Sequence, residues 1–508
     1  MFSKISSFGL MGLKGFKIDV EVDTSQGLPS YDIVGLPDTA VKESRERVRS
    51  AIKNSGLKFP TNKVTVNLAP ANIKKVGPNF DLPIAIAILL SSGQITAKKA
   101  LDFVILGELG LDGSIRPIMG ILPALISARS GGYKNFIIPK QNEKEASYID
   151  GINAYAFTNL IDVVGFLNNV IEFNPVEKTV WNGEESSKIL EDFSRVKGQK
   201  IAKRAIEIAV AGGHNILMVG PPGAGKTMIA KCIPSIMPNL TFDEALEITK
   251  IHSIAGELDL NKGVITSRPF RSPHHTASIV SLTGGGKDAK PGEVSLSSEG
   301  VLFLDELPEY SRATLETLRQ PLEDGVITVS RISGTYEYPA NFMLVASMNP
   351  CPCGNYGCST AVCTCSPSQI QNYLKRLSGP LLDRIDLKID VEKVTYTDIS
   401  SKIEEETSEE IKKRVDRARQ IQTNRFNGTN IHTNAKMSAK MLNDYCKLDV
   451  ESEGLIKLAF EKYNISARGY SRILKVARTI ADLDNSQDIN FNHIAEAVAY
   501  RNIDKFQL

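Results

Sequence analysis

The stretch Ile216-Leu-Met-Val-Gly-Pro-Pro-Gly-Ala-Gly-Lys-Thr227 decides how this 508-residue chain is read. Four apolar residues, Ile216 to Val219, predict a buried strand. Gly220, Pro221, Pro222, Gly223, Ala224, Gly225, Lys226 and Thr227 then run in the order G-x-x-x-x-G-K-T, and Met228 to Ile233 begins a helix that Pro234 interrupts. Strand, glycine loop and helix in this order make a phosphate loop. The glycines let backbone N–H groups turn inward around phosphate oxygens, and the helix N-terminus adds partial positive charge. Lys226 is placed to reach the β- and γ-phosphates and Thr227 to ligate Mg2+. The ligand implied is ATP with Mg2+, and the fold implied is α/β around a parallel sheet.

Three further motifs follow in chain order. Val301-Leu-Phe-Leu-Asp-Glu306 is an apolar strand with two carboxylates at its C-terminal end, where open α/β sheets bind ligands. Asp305 is expected to hold Mg2+ through water, and Glu306 to act as general base on the attacking water. The strand Phe342 to Ser347 leads into Met348-Asn349-Pro350, where Asn349 can orient the lytic water or sense the γ-phosphate. Arg384, in Leu381-Leu-Asp-Arg-Ile-Asp-Leu387, fits an arginine finger supplied to a neighbouring subunit; its structural alternative is an ion pair with Asp383 or Asp386. Arg468, at the start of a later helical pattern, is a second cationic candidate.

Lys+Arg is 60 and Asp+Glu is 58, a net charge of +2. That balance excludes a globally basic nucleic-acid binder, so a DNA-binding surface has to be a local patch. An apolar share of 42% is ample for buried cores. The longest apolar run, Pro83 to Leu90, is far short of the ~20 residues needed to span a bilayer. Lys4 and Lys14 flank a short, glycine-broken apolar stretch that lacks a signal-peptide layout, so the expectation is a soluble, cytoplasmic chain with no membrane partner.

About three domains are expected from the length. Residues 1–174 alternate strand-like stretches with helical ones. In the helix around Val41, Val48 and Ile52, a basic face of Lys42, Arg45, Arg47, Arg49 and Lys53 reads as solvated or as touching nucleic acid. Residues 175–188 read as a polar linker, 189–391 carry the motifs above, and 392–508 look helical, with Glu409–Lys413 and Glu410–Arg414 as i,i+4 pairs. Five of the seven cysteines crowd between positions 351 and 365, which points to a metal knuckle rather than a disulfide framework. Cys351, Cys353, Cys363 and Cys365 can complete a tetrahedral structural Zn2+ site, and Cys358 can stand in for one of them.

Together with Arg268-Pro-Phe-Arg-Ser-Pro-His-His-Thr-Ala-Ser278, Leu318-Arg-Gln-Pro-Leu-Glu323, Asn349-Pro-Cys-Pro-Cys-Gly354, Ser378-Gly-Pro-Leu-Leu-Asp-Arg-Ile-Asp386 and Arg472-Ile-Leu-Lys-Val-Ala-Arg478, these motifs resemble the ComM/YifB family of magnesium-chelatase-like AAA+ ATPases along essentially the whole chain. The resemblance implies an AAA+ P-loop NTPase core with a helical C-terminal lid, preceded by a Lon-protease-like α+β domain. It also implies a homo-hexameric ring that drives branch migration of DNA, helicase-like, in natural transformation. A metal-insertion motor like magnesium chelatase is the alternative; the D-x-S-x-S motif of its partner is missing here. The resemblance further implies a helix-2 insert and a pre-sensor hairpin. Alternation on both sides of Ser333-Gly334 independently signals that hairpin. Arg331 near its tip, with Lys287 and Lys290 in the insert, is implied to contact DNA phosphates. For zinc, the resemblance favours the two C-x-C pairs. In the Lon-like block, Asn79 stands at the nucleophilic-serine position and Leu122 at the lysine position. An amide cannot be an alkoxide nucleophile and leucine cannot take a proton, so proteolysis is not expected.

Overall fold

A computed structural model describes residues 1–96, 98–183, 191–286, 289–331, 334–358, 361–395, 400, 404–463 and 465–501. The chain divides into two compact units that do not follow its linear order. The first gathers Met1–Gly183, Thr241–Thr266 and Thr328–Tyr338; the second gathers Glu184–Leu240, Ser267–Ile327 and Pro339–Leu508.

In the first unit β1 (Phe2–Met11), β2 (Lys14–Ser25), β3 (Ser30–Val34), β4 (Lys63–Ala69), β5 (Phe103–Ile105), β8 (Asn135–Pro139) and β9 (Asn153–Phe157) form a sheet in the order β3-β4-β2-β1-β5-β8-β9; β6 (Glu108–Leu109) and β7 (Ile115–Arg116) pair separately. β1 and β2 are an antiparallel hairpin joined at Gly12-Leu13, with Gly12 at φ 60°. β1 escaped the sequence reading because serines occupy its buried positions. Ser3, Ile5 and Ser7 all face the interior, and Ser3 Oγ donates to Ala87 O at 2.7 Å, so polarity hides the period of two.

Helices Thr39–Asn54 and Asp81–Ser91 bury their apolar residues in one cluster with Ile5, Val20 and Ile105, while helix Ile121–Ser130 packs in a second cluster with Phe8, Val104 and Phe136. Arg47 does not belong to a solvated face. It forks onto the fully buried carboxylate of Asp81 at 2.7 and 3.1 Å. The stretch read as a linker is in part ordered on this unit: Val176 N–H donates to Ala154 O at 2.7 Å and Thr179 N–H to Ser147 O at 3.0 Å. Residues 184–188 lie outside the described residues.

Helix Phe242–Ala255, opened by a capping box of Thr241 and Glu244, belongs to the same unit. Its Leu246 packs against the second cluster, and Ser253 Oγ donates to the buried carboxylate of Glu145 at 2.8 Å. Asn142 Nδ2 donates to the other Glu145 oxygen at 2.8 Å. The pre-sensor hairpin forms from β13 (Val326–Arg331) and β14 (Gly334–Pro339). Tyr336 lies against Gly12, where a Cβ would sit 3.5 Å from its ring.

The second unit holds a wholly parallel sheet of β10 (Ile216–Val219), β11 (Phe270–Arg271), β12 (Val301–Leu304), β15 (Met343–Met348) and β16 (Leu387–Asp390), in the order β11-β12-β15-β10-β16. Helix Lys226–Ile236 runs through Pro234 rather than stopping at it. Helices Ser408–Arg425, Ala439–Tyr445, Val450–Tyr463, Ala467–Leu483 and Phe491–Ala499 form the lid, and it shares one hydrophobic cluster with the sheet. Of the two expected i,i+4 pairs, Lys413–Glu409 forms at 2.8 Å. Arg414 instead binds Glu207 and Glu406, because Glu410 is taken by the capping box of Thr407. No helix among the described residues is long and apolar enough to cross a membrane.

Burial raises the Glu145 carboxyl from 4.5 to about 7, against the opposing hydrogen bonds of Asn142 and Ser253. Ionising it therefore costs the folded state, and stability falls as pH rises from about 4.5 through about 7. Glu145→Gln should stabilise the chain at pH 8 by on the order of 2 kcal/mol, with the gain vanishing near pH 4.5. Denaturant unfolding across that range checks it.

Candidate active site

The parallel register fixes which strand ends meet. Val219 pairs with Met348 and Leu304 with Ala346, so the residues after β10, β12 and β15 emerge side by side at one edge of the sheet. There Thr227 Oγ1 donates to Asp305 Oδ2 at 2.8 Å. Lys226 Nζ donates to Gly220 O at 2.6 Å, Pro221 O at 3.0 Å and Asn349 Oδ1 at 3.1 Å. Burial holds the Lys226 ammonium below the ordinary lysine range, opposed by Asp305 and Glu306.

Gly223 and Gly225 have φ of 76° and 88°, and a Cβ at either would meet no atom within 4 Å; the loop is an open cradle. Gly225 caps helix Lys226–Ile236 without a side-chain hydrogen bond, leaving the first N–H groups of the helix for a ligand. The hydroxyl and carboxylate of Thr227 and Asp305, one hydrogen bond apart, are hard oxygen donors of the kind Mg2+ takes beside phosphate.

Three neighbours of this site carried no legible signal. Ser347 Oγ donates to Asp305 Oδ1, an orientation that comes from its place on β15 beside β12. His275 Nδ1 lies 3.4 Å from Glu306 Oε2, and its ring stacks near that of His274 with centroids 4.1 Å apart. Gln199, at φ 55°, donates to Ala224 O at 3.4 Å and Glu392 O at 2.6 Å, tying the loop to the end of β16.

Arg384 is buried and pairs with neither Asp383 nor Asp386. Its Nη1 donates to Pro380 O at 2.8 Å and its Nη2 to Glu323, while Arg468 Nη2 lies 4.0 Å from the other Glu323 oxygen. Asp386 is engaged by Arg472 and His214, which hold it well below the usual carboxylate range despite its burial. Neither Pro380 nor Glu323 belongs to the phosphate loop. Arg331 and Lys290 are exposed; Lys287 lies outside the described residues. At the Lon dyad positions Leu122 is fully buried, and Asn79 offers a backbone carbonyl to Gly107 N–H at 3.1 Å.

Directly after Asn349, Cys351, Cys353, Cys363 and Cys365 bring four Sγ atoms within 4.8 Å of one another. Sulfur separations of 3.4, 3.6 and 3.7 Å match the ~3.8 Å edge of a tetrahedron with Zn–S near ~2.3 Å. Cys358 is outside this group. The backbone N–H groups of Asn355 and Thr364 hold the Cys353 thiol down, while Cys363 and Cys365 beside it are pushed up. The knuckle also touches the phosphate loop: Gly354, at φ 83°, backs onto Pro222.

A phosphate loop beside an acidic strand end and a sensor asparagine, on a parallel sheet ordered β11-β12-β15-β10-β16 with a helical lid, is an AAA+ P-loop NTPase core. Family models described as magnesium chelatase subunit ChlI match residues 192–399, as subunit ChlI of Mg-chelatase residues 20–142, and as its C-terminal part residues 405–501. The chain is 43% identical to competence protein ComM of Haemophilus influenzae over 97% of its own length and 96% of that protein, and 44% identical to YifB of Escherichia coli over the same shares. It belongs to the ComM/YifB family. A shorter match, 25% identical over 177 residues, joins it to Lon protease 2 of Bacillus subtilis across 32% of this chain and 31% of that protease.

A Cβ at Gly354 would lie 2.4 Å from the Pro222 ring in a left-handed backbone. Gly354→Ala should therefore shift the phosphate loop and weaken nucleotide binding by on the order of tenfold, read by titration with a fluorescent ATP analogue.

Proposed function

We propose that this chain is an ATP-hydrolysing motor that remodels DNA, working as a homo-hexamer in the cytoplasm. The observation that carries the ATPase reading is the meeting of Lys226, Thr227, Asp305 and Asn349 at three adjacent strand ends. Lys226 would leave the loop carbonyls for the β- and γ-phosphates, and Thr227 and Asp305 would hold Mg2+, whose charge offsets that of the phosphates. Glu306 would take a proton from the attacking water, with Asn349 orienting that water. His275 beside Glu306 positions the carboxylate until water and nucleotide are in place. Arg384 and Arg468 act on the nucleotide of a neighbouring subunit. Glu306→Gln should lower ATP turnover by about 10²- to 10⁴-fold while nucleotide still binds; an unchanged rate would remove Glu306 as the base.

DNA as the substrate is supported by the relative named a competence protein and by basic residues at repeating positions. Arg331 and Lys290, multiplied around a ring, can bind phosphates although the chain carries only +2. Domains are assigned as 1–174 Lon-like without its dyad, 175–188 linker, 189–391 motor core and 392–508 lid. The ChlI family matches favour one rival, an ATPase that drives metal insertion. Forked or single-stranded DNA should stimulate ATP hydrolysis and be unwound or migrated; ATPase indifferent to DNA would favour the rival.

The four-cysteine cluster holds structural Zn2+ in this reading and stiffens the path from Asn349 to the Arg384 helix. Elemental analysis should find one zinc per chain, retained in Cys358→Ser and lost in Cys363→Ser.

A further inference from the structure

Arg384 lines a cavity of about 350 Å3 within the second unit, together with Glu323, Lys436, Arg468, Arg472 and Lys475. Its charges are unevenly satisfied. Arg472 is committed to Asp386, and Asp383 faces Arg501 at 3.8 Å. Lys475 donates only to a backbone carbonyl, Ala435 O at 2.8 Å, and among the described residues neither it nor Lys436 forms an ion pair. Arg384, with its side chain 9% exposed, has a buried Nε that makes no hydrogen bond. Arg384 and Arg468 thus share one carboxylate, Glu323, while Lys436 and Lys475 are drawn toward Asp386, which Arg472 already holds, and Lys436 also toward Glu299. Glu323 is itself 53% exposed, and both of its oxygens point at arginines.

A buried guanidinium with a free donor is costly unless an acceptor reaches it. Glu323 satisfies part of that demand with a single charge from the end of the short helix Arg319–Asp324, where its side chain is about half exposed to solvent. A terminal phosphate brings about two charges and three acceptor oxygens, and so suits the cluster better. We infer that the cavity is an oxyanion site for the terminal phosphate of a nucleotide held by a second copy of this chain, that Lys436 and Lys475 join the two arginines in it, and that Glu323 is a built-in placeholder which the phosphate displaces. The inference rests on reading Arg384 and Arg468 as cations supplied to a neighbour. It adds two residues to that set and a reason why the isolated chain keeps its finger neutralised.

The test uses inorganic pyrophosphate and the full chain carrying Lys226→Ala, so that its own phosphate loop is disabled. Calorimetric affinity should tighten on the order of tenfold when Glu323→Gln is added and weaken severalfold with Lys436→Ala. With Lys226 intact, Glu323→Gln should reach half-maximal ATPase at a severalfold lower protein concentration. Unchanged or weaker pyrophosphate binding in Glu323→Gln overturns the placeholder, and so does the absence of any binding. Arg384→Ala separates the two levels. Full turnover in that variant sinks the reading of Arg384 as a finger, whereas lost turnover with no tightening in Glu323→Gln sinks only the present inference.

Discussion

The site depends on one arrangement, the insertion of β15 between β10 and β12. Those three strands come from segments separated by at least 38 residues in sequence order, and each ends in a residue with little chemistry of its own in isolation. Parallel pairing with Val345 opposite both Ile216 and Phe303 aligns their C-terminal ends to within a residue. The hydrogen bonds of Lys226 to Asn349, Thr227 to Asp305 and Ser347 to Asp305 follow from that alignment. A slip of one residue would turn each of these side chains to the opposite face, because side chains alternate along a strand.

Buried charge is handled differently in the two units. In the second, carboxylates are surrounded by cations: Asp482 takes Arg425 and Arg478, and Asp386 takes Arg472. Such pairs fix helix register at some cost in desolvation. In the first, burial raises the proton affinity instead, both of Asp81 with its single cation Arg47 and of Glu145 among neutral donors. Glu145 pins helix Phe242–Ala255, a segment drawn from the middle of the motor sequence, to the Lon-like sheet. The Lon-like unit thus packs an element drawn from the motor sequence.

Legibility tracked the range of the interaction. The glycine loop, the apolar strand before Asp305 and the cysteine pairs are local patterns with strong steric or ligand constraints, and they were readable at once. β1 was missed because serines fill its buried positions. Within the basic face, Lys42, Arg45, Arg49 and Lys53 are exposed as read, and Arg47 alone was misplaced because its partner, Asp81, lies 34 residues away on another helix. Glu410 was assigned to Arg414 by helix spacing, but the N-terminal backbone of its own helix competed for it and won.

By itself the sequence determined the class of core, the glycine loop between its strand and helix, and the crowding of cysteines after Asn349. Each of these depends on residue identity within a short span. Tertiary structure alone decided that His275 faces Glu306, that Gly354 backs onto Pro222, and that Glu323 rather than Asp383 or Asp386 neutralises Arg384. These are contacts between segments that only the sheet order and the packing of the lid bring together. Charge attraction acts on whichever groups the fold leaves within a few ångströms, and proximity in the chain does not say which those are.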